Sequence, residues 1–466
     1  MTADRVAASD GAGRVFLGHP RALAYLAGTE FWDRVSFHGM QALLTLYLVE
    51  QLLLPGHIEH VAGFGAFRSA IIAVTGPLST QALASQIFGL YVGFALFGPI
   101  LGGAIGDRWL GRNRSVVTGA VLMIFGHLAM AFDQSFLVAL LLLILGTGFL
   151  RGNLAPQVGD LYDRNDRNRT VAFQLYGAAV NLGAFVAPIV TGWVAQEVSW
   201  HVAFGVAAVG MAIGLVTYLA GQRELPEPVQ RPREAERPPL TPAERGRVVL
   251  LVGLVPLAAM FWVAQSQIWN TYNIWVRDHL QLSIAGFQVP VPWLQSIDGL
   301  APFLTLPPML ALWRWQHARG REPDEFGKLA TGCFIFAASV LWLAAGQFVT
   351  DASGRTPFLW AVGFHLASNF GWLYFAPTCN ALFSRAAPIT VTATLMGLYS
   401  LSVSLGSFVS GRLGGFYEAM SPAAFWTLHA AIVGAGGVLI LAFGAAFRGR
   451  LFADATPIAM PPAPRA

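Results

Sequence analysis

The chain has 466 residues, of which 55% are hydrophobic and only 12% are charged. Soluble globular proteins carry roughly a quarter charged residues, so this chain has too little charge to cover a water-exposed surface. The composition excludes a soluble enzyme, a disordered chain and a nucleic-acid-binding protein, and the net charge of +4 is too small to indicate a polyanionic partner. We therefore expect an integral protein whose spans contact the lipid bilayer.

Cysteine usage and short motifs argue against metal or cofactor chemistry. The only cysteines are Cys333 and Cys379, which lie in apolar stretches and form no CxxC pair. We expect no metal site, no cofactor and no disulfide framework. Neither an HExxH nor a GxSxG motif occurs, and the N-terminal residues lack the apolar core of a cleaved signal peptide. A carrier is thus favoured over a membrane enzyme or a receptor.

Twelve stretches are apolar enough and long enough, at about 20 residues, to cross a bilayer. With the N-terminus placed inside, the inner loops and tails hold most of the 29 basic residues, which predicts that both termini are cytoplasmic. We expect a multi-pass protein of the inner membrane. The predicted spans are 23–53, 82–106, 114–132, 135–157, 171–195, 201–221, 248–276, 294–313, 329–349, 357–383, 391–415 and 422–447.

A polar segment divides these spans into two sets of six. It covers residues 222–247 and is rich in proline, arginine and glutamate, which is typical of a solvated linker. We expect an all-α membrane protein with twelve transmembrane helices in two six-helix bundles and a site between them. The predicted organisation is an N-tail (1–22), an N-terminal bundle (23–221), the linker, a C-terminal bundle (248–447) and a C-tail (448–466).

The loop after the second span carries the first recognisable motif, GGAIGDRWLGRNRS, which starts at Gly102. It resembles the corresponding loop of the major facilitator superfamily, and an ordinary positively charged inner loop is the less favoured alternative. The resemblance implies a role in conformational change for the two glycines and the charged group, namely Gly102, Gly103, Asp107, Arg108 and Arg112.

Further segments resemble one branch of that superfamily, the proton-dependent oligopeptide transporter family. Residues 30–41, EFWDRVSFHGMQ, resemble its ExxERFxYYGMR motif, and FQLYGAAVN resembles its FYxxIN element. FWVAQSQ and VPWLQSID also resemble motifs of the family. The resemblance runs from about residue 23 to about 420 and implies proton-coupled uptake of di- or tripeptides by alternating access.

Ionisable residues within the first span share one helical face. Glu30, Asp33, Arg34 and His38 follow the i, i+3, i+4, i+8 spacing, and Arg151 on the fourth span balances their charge. Charges inside a bilayer are costly and usually functional, although a structural ion cluster is the alternative. We predict that Arg34 and Arg151 bind a substrate carboxylate. Glu30 or Asp33 is predicted to alternate between pairing with Arg34 and binding a proton, and His38 is either a proton carrier or a neutral hydrogen-bonding residue.

Polar and aromatic residues on other spans complete the predicted substrate site. A second face on the seventh span repeats the same spacing without charge, and aromatic walls suit variable peptide side chains. For any single aromatic residue, packing is an equally good interpretation. The predicted substrate-binding residues besides the arginines are Phe37, Tyr176, Asn181, Trp262, Gln265, Ser266, Trp269, Asn270, Trp372 and Tyr399.

The chain departs from the family at charged positions. Ser266 and Trp372 stand where the family has acidic residues on spans 7 and 10, and Gln41 stands where it has an arginine. Asp298 stands where the family usually has asparagine, and it either takes part in proton coupling or caps a broken helix. These changes leave two candidate substrates open: di- or tripeptides with protons, or another small carboxylate-bearing or amphipathic solute with weak or no proton coupling. We expect a monomer that has no nucleic-acid partner.

Overall fold

The computed structural model describes residues 15–163, 166–226 and 239–452 and is mostly helical. The remaining parts of the predicted tails and linker, residues 1–14, 227–238 and 453–466, lie outside the described residues. The α-helices are α1 (Arg21–Tyr47), α2 (Phe64–Thr75), α3 (Thr80–Ile105), α4 (Arg112–Ala129), α5 (Phe136–Asp160), α6 (Arg167–Glu197), α7 (Trp200–Gly221), α8 (Pro242–Gln267), α9 (Thr271–His279), α10 (Trp293–Ala318), α11 (Glu325–Ala345), α12 (Phe358–Ala386), α13 (Thr392–Gly414) and α14 (Pro422–Leu451).

The described ranges also contain two short antiparallel hairpins. Strand β1 (Val15–Phe16) pairs with β2 (His19–Pro20), and β3 (Ser283–Ile284) pairs with β4 (Phe287–Gln288). The first hairpin leads directly into α1, and the second lies between α9 and α10. The hairpins therefore occupy connections, and the body of the protein is helical.

The long helices lie at the predicted spans and confirm the all-α membrane class. Twelve described α-helices have at least 18 residues, whereas α2 and α9 are shorter. Seven helical segments combine the length and apolar composition needed to cross a bilayer, so the number of twelve crossings stays a prediction. Several helices extend beyond the predicted boundaries; α8, for example, begins at Pro242 and α14 continues to Leu451.

Side-chain caps explain where several helices begin. The first four backbone N–H groups of a helix have no partner within it, and a Ser, Thr or Asp side chain at the N-cap accepts from one of them. Thr241 and Glu244 form a reciprocal capping box at the start of α8. The other helices with such caps are α3 (Ser79), α6 (Asp166), α7 (Ser199), α11 (Asp324) and α14 (Ser421).

Helices pack mainly within two groups, one on each side of the predicted linker. In the first group α1 packs on α6 and α7, and α5 packs on α3 and α4. In the second group α8 packs on α13 and α14, and α11 packs on α12 and α14. Glycines permit close crossings, as small residues do in membrane helices. A Cβ atom at Gly102 of α3 would lie 2.1 Å from the carbonyl oxygen of Gly148 on α5.

The two groups contact each other through α3 with α13 and through α6 with α10. Both contacts bring backbones together at glycine. A Cβ atom at Gly89 would lie 2.6 Å from Cα of Gly411, and one at Gly299 would lie 2.3 Å from the backbone nitrogen of Phe185. Any side chain at these positions therefore collides with the other half of the protein.

The seventh span is interrupted, which differs from the continuous helical face predicted for residues 262–273. Helix α8 ends at Gln267, α9 begins at Thr271, and Asn270 between them has φ −110° and ψ −104°. A break inside a membrane is tolerated where other groups satisfy the freed backbone atoms. Here the Gln295 side chain donates to the carbonyl oxygen of Ile268 at 3.0 Å.

Candidate functional site

Three charged residues of α1 form the centre of a buried ionic cluster. Arg34 donates from Nε to Glu30 Oε1 at 2.6 Å, and its Nε lies 3.7 Å from Asp33 Oδ2. Glu30 and Asp33 are 1% and 0% exposed. Tyr176 of α6 donates its hydroxyl hydrogen to the other oxygen of Glu30. The structure thus brings together one face of α1 and a predicted residue of α6.

Arg151 of α5 completes this cluster. Its Nε donates to Asp33 Oδ2 at 2.8 Å, and its guanidinium carbon lies 4.0 Å from the centre of the Phe37 ring. Its two terminal nitrogens are buried and have no hydrogen-bond acceptor among the described residues. Unpaired buried donors are costly, so Arg151 presents two positions at which a bound carboxylate would be stabilised.

We define the ionic cluster as Glu30, Asp33, Arg34 and Arg151. Its positive and negative charges are balanced. Two carboxylates face two guanidinium groups, so the formal charges sum to zero without any bound proton. Removal of one member of a buried pair leaves an uncompensated charge, which is strongly unfavourable. The four predicted residues therefore depend on one another, as expected from the sequence.

A cavity of about 180 Å³ lies between the two helix groups. Arg34 precedes the cavity-lining residue His38 by four positions, so the ionic cluster and the cavity lie along the same face of α1. The predicted site residues that line the cavity are His38, Asn181, Gln265, Trp269, Asp298 and Trp372. The other lining residues are Val180, Ala184, Gly299, Pro302, Ser368 and Asn369.

Other predicted residues of the second half have packing contacts and do not line this cavity. The ring centres of Trp262 and Tyr399 lie 6.2 Å apart. Ser266 exchanges a hydrogen bond with Ser407 at 2.9 Å, so a neutral pair occupies the position where an acidic residue was expected from the family. The contact between Trp262 and Tyr399 is a packing contact, which was the alternative interpretation for each aromatic residue.

Asn270 belongs to a group of neutral residues that joins the two halves where α1 ends. Its side-chain nitrogen donates to Ser85 Oγ at 2.6 Å, and its oxygen accepts from Thr45 Oγ1 at 3.2 Å. Asn273 donates to the carbonyl oxygen of Ala42 at 3.2 Å. Thr45, Ser85, Asn270 and Asn273 are each 0% exposed, and we call these four residues the polar seal.

His365, a fully buried residue of α12, was not among the residues predicted from the sequence. Its Nδ1 lies 2.6 Å from Asp298 Oδ1, and its Nε2 lies 3.0 Å from the hydroxyl of Tyr272. The occurrence of a titratable residue within an apolar span could have indicated His365. In the described ranges, no group of three or more His, Cys, Asp or Glu side chains has an arrangement that could hold a metal ion.

The residues of the predicted loop motif lie at the junction of α3, α4 and α5. Arg112 donates from Nε to Asp107 at 2.9 Å and also pairs with Asp160 at the end of α5. Gly102 and Gly103 face α5 backbone, and Arg108 is exposed. These contacts hold the three helix ends together, and the role of the motif in conformational change stays a prediction.

Comparison with known proteins identifies relatives along most of the chain. It is 26% identical to a peptide transporter of Yersinia enterocolitica, with 92% of this chain and 95% of the relative covered. It is also 26% identical to a di-/tripeptide transporter of Lactococcus lactis subsp. cremoris, with 92% and 96% covered. Both relatives therefore match nearly the whole chain and are transporters by name.

Solved structures share the fold. The crystal structure of the peptide transporter POT in complex with sulfate has a TM-score of 0.80 and 26% identity, and the match covers 94% of this chain and 97% of that one. A variant of that transporter in complex with alafosfalin matches equally well. The sequence model described as the POT family matches residues 113–232 and 241–427. The chain belongs to the POT family, in agreement with the motifs of its sequence.

Proposed function

We propose that this protein takes up di- or tripeptides together with protons by alternating access. The observation that carries the proposal is the ionic cluster of both signs beside a cavity between the two helix groups. A peptide carries a carboxylate and an ammonium group, and this site offers partners for both. Relatives named as peptide transporters support this function and do not favour the alternative of another small solute.

The ionic cluster gives a route for substrate recognition. The unpaired donors of Arg151 and the guanidinium of Arg34 bind the substrate carboxylate, since a planar fork matches two oxygens. When Arg34 turns to the substrate, Glu30 loses its cation. A buried carboxylate without a partner takes up a proton to become neutral, and this step couples peptide binding to proton binding. Trp269 and Trp372 supply aromatic walls for the peptide side chains.

The polar seal indicates which state the structure represents. It lies at the end of α1, which the distribution of basic residues places on the outer side of the inner membrane, with both termini in the cytoplasm. We therefore assign a state that is closed toward the outside. We propose a monomeric carrier, because both halves of a single chain line the cavity. A carrier is favoured over an enzyme because the relatives are named as transporters.

Peptide uptake tests the proposal directly. Purified protein in lipid vesicles is expected to accumulate a radioactive dipeptide when an inward proton gradient is imposed. Arg151→Gln is expected to weaken binding of the free dipeptide about tenfold or more, since hydrogen bonds to charged groups contribute about 1.5–3 kcal/mol. The amidated dipeptide, which lacks the carboxylate, is expected to lose much less affinity.

A matched arginine variant controls for general effects of the substitution. Arg448 lies in the last turn of α14 and pairs with Asp324, far along the chain from the ionic cluster. Arg448→Gln is expected to bind both dipeptide forms like the unmodified protein. Equal loss of both forms in Arg151→Gln would show that Arg151 is structural, and absence of gradient-driven accumulation in the unmodified protein would contradict the proposed function.

A further inference from the structure

A second buried ionisable pair lies in the C-terminal half, and the scheme of peptide binding above does not use it. Asp298 of α10 accepts from His365 of α12 at 2.6 Å, and the other ring nitrogen of His365 lies 3.0 Å from the Tyr272 hydroxyl on α9. The three residues therefore connect three separate helices by two hydrogen bonds.

Only one end of this connection faces the cavity. Asp298 lines the cavity, and its Oδ2 atom is buried without a hydrogen-bond partner among the described residues. His365 is 0% exposed and Tyr272 is also 0% exposed. A proton from cavity water consequently meets the carboxylate of Asp298 first, and His365 exchanges protons with the cavity through that carboxylate.

The charges around the pair differ from those of the ionic cluster. Tyr272 is the titratable group that faces His365 from α9, Asp298 faces it from α10, and His38 of α1 lines the same cavity as Asp298. The rings of Trp275, Phe364 and Trp426 also lie near Tyr272, with ring centres 5.7, 5.4 and 6.3 Å away. In the described ranges His365 is the one ion-pair partner of Asp298.

The pair therefore changes its net charge when it binds a proton. With neutral His365 and ionised Asp298 the pair has one negative charge, and with one added proton it has none. The ionic cluster, by contrast, is neutral without a proton. A net charge is strongly disfavoured in a dry interior, so the unprotonated pair favours states in which water reaches Asp298, and the protonated pair tolerates states that exclude water.

Asp298 and His365 lie where they could replace the acidic residues that the family has on spans 7 and 10 and this chain lacks. His365 precedes Trp372 by seven positions and thus lies on the same face of α12. Trp372 and Ser266 occupy the positions where acidic residues were expected from the family, and both are neutral. Asp298 is the acidic residue of this half that lines the cavity, and it stands where the family usually has asparagine.

On the basis of the transport function proposed above, we propose that Asp298 and His365 together form the binding site of a transported proton in the C-terminal half. Cavity water delivers the proton to the carboxylate of Asp298 in states in which water reaches it, and the proton is shared with His365 across their hydrogen bond. No other bond forms or breaks, and the proton returns to water when the cavity opens to the inside. Tyr272 transmits the change in hydrogen bonding to α9, next to Asn273 of the polar seal.

Gradient dependence of uptake tests this proton site. The quantity to measure is the ratio of dipeptide uptake with an acid-outside gradient to uptake without one, in lipid vesicles. His365→Gln and Asp298→Asn are each expected to reduce this ratio toward unity, because a coupling of about 5- to 150-fold between two ligands is lost with the site of one of them. Two variants are used so that the proton site is still tested if one of them fails to fold.

His429 provides the matched control. It is a buried histidine of the same half that lies 3.1 Å from Gln267 and 2.8 Å from the carbonyl oxygen of Phe425, and it has no acidic partner in the described part of the chain. His429→Gln is expected to retain the full gradient ratio. A full ratio in both His365→Gln and Asp298→Asn would overturn the proton site while leaving peptide transport intact.

Direct proton binding separates this proposal from the proposed function. Detergent-purified protein without peptide is subjected to a pH step, and the protons taken up per chain are measured with a pH-sensitive dye. The unmodified protein is expected to take up more protons than His365→Gln, whether or not the vesicles transport dipeptide. Equal proton uptake by the two proteins would overturn the site.

Discussion

Asp33→Leu is expected to lower the free energy of unfolding by about 3–5 kcal/mol, the usual cost of breaking a buried ion pair from one side. Asp33 is 0% exposed and is the carboxylate that accepts from Arg151 at 2.8 Å. Because the two terminal nitrogens of Arg151 already have no acceptor among the described residues, the substitution leaves its whole guanidinium unpaired. Peptide uptake is expected to be lost with it.

A double variant separates charge from shape. Asp33→Leu combined with Arg151→Leu removes both members of the pair, and replacement of a buried pair by apolar residues is often neutral. The double variant is therefore expected to unfold at a higher temperature than Asp33→Leu, with uptake still absent. Thermal unfolding in detergent gives both values, and an Asp33→Leu protein as stable as the unmodified one would disprove a buried ion pair.

Gly299→Val is expected to separate the two halves at the outer end. A Cβ atom at Gly299 lies 2.3 Å from the backbone nitrogen of Phe185 and 2.7 Å from the carbonyl carbon of Ala184. Backbone atoms of α6 cannot yield as a flexible side chain can. Overpacking costs about 1–3 kcal/mol, which corresponds to an increase of about 5- to 150-fold in the population of the opened state.

Thiol labelling measures this opening. Cys333 and Cys379 are both buried, so a cysteine introduced at Ser85 in the polar seal supplies the signal. A membrane-impermeant thiol reagent is expected to label Ser85→Cys slowly and to label the Ser85→Cys, Gly299→Val protein faster. Gly371→Val, which collides with the Gly332 backbone within one half at 2.8 Å, is the matched control and is expected to leave the labelling rate low.

Unchanged labelling in Gly299→Val would show that the contact between α6 and α10 does not hold the outer end closed. Faster labelling in both glycine variants would mean that general loss of stability, and not separation of the halves, exposes residue 85. The comparison thus distinguishes a conformational effect from unfolding.

The features predicted from the sequence are those that depend on regular spacing along one helix. Glu30, Asp33 and Arg34 are three and four positions apart, so a helical period alone places them on one face. The charge of Arg151 supplied the missing partner by simple balance. The membrane class followed equally directly from composition, because lipid contact requires long apolar stretches.

Two features that arise from contacts between distant segments were not predicted. The break before Thr271 depends on Gln295, which satisfies the Ile268 carbonyl oxygen from another helix. The pairing of His365 with Asp298 joins residues 67 positions apart. For aromatic residues the spacing was ambiguous in principle, since Trp269 lines the cavity whereas Trp262, seven positions earlier, packs against Tyr399.

The composition of the polar seal has an electrical consequence. Thr45, Ser85, Asn270 and Asn273 have no formal charge, so their separation and approach displace no charge through the membrane field. Movement of one elementary charge across a membrane changes its energy by about 2.3 kcal/mol per 100 mV. The polar seal itself is therefore expected to contribute no voltage dependence when the outer end opens, so a voltage dependence of transport reports on charged groups elsewhere, such as the transported proton.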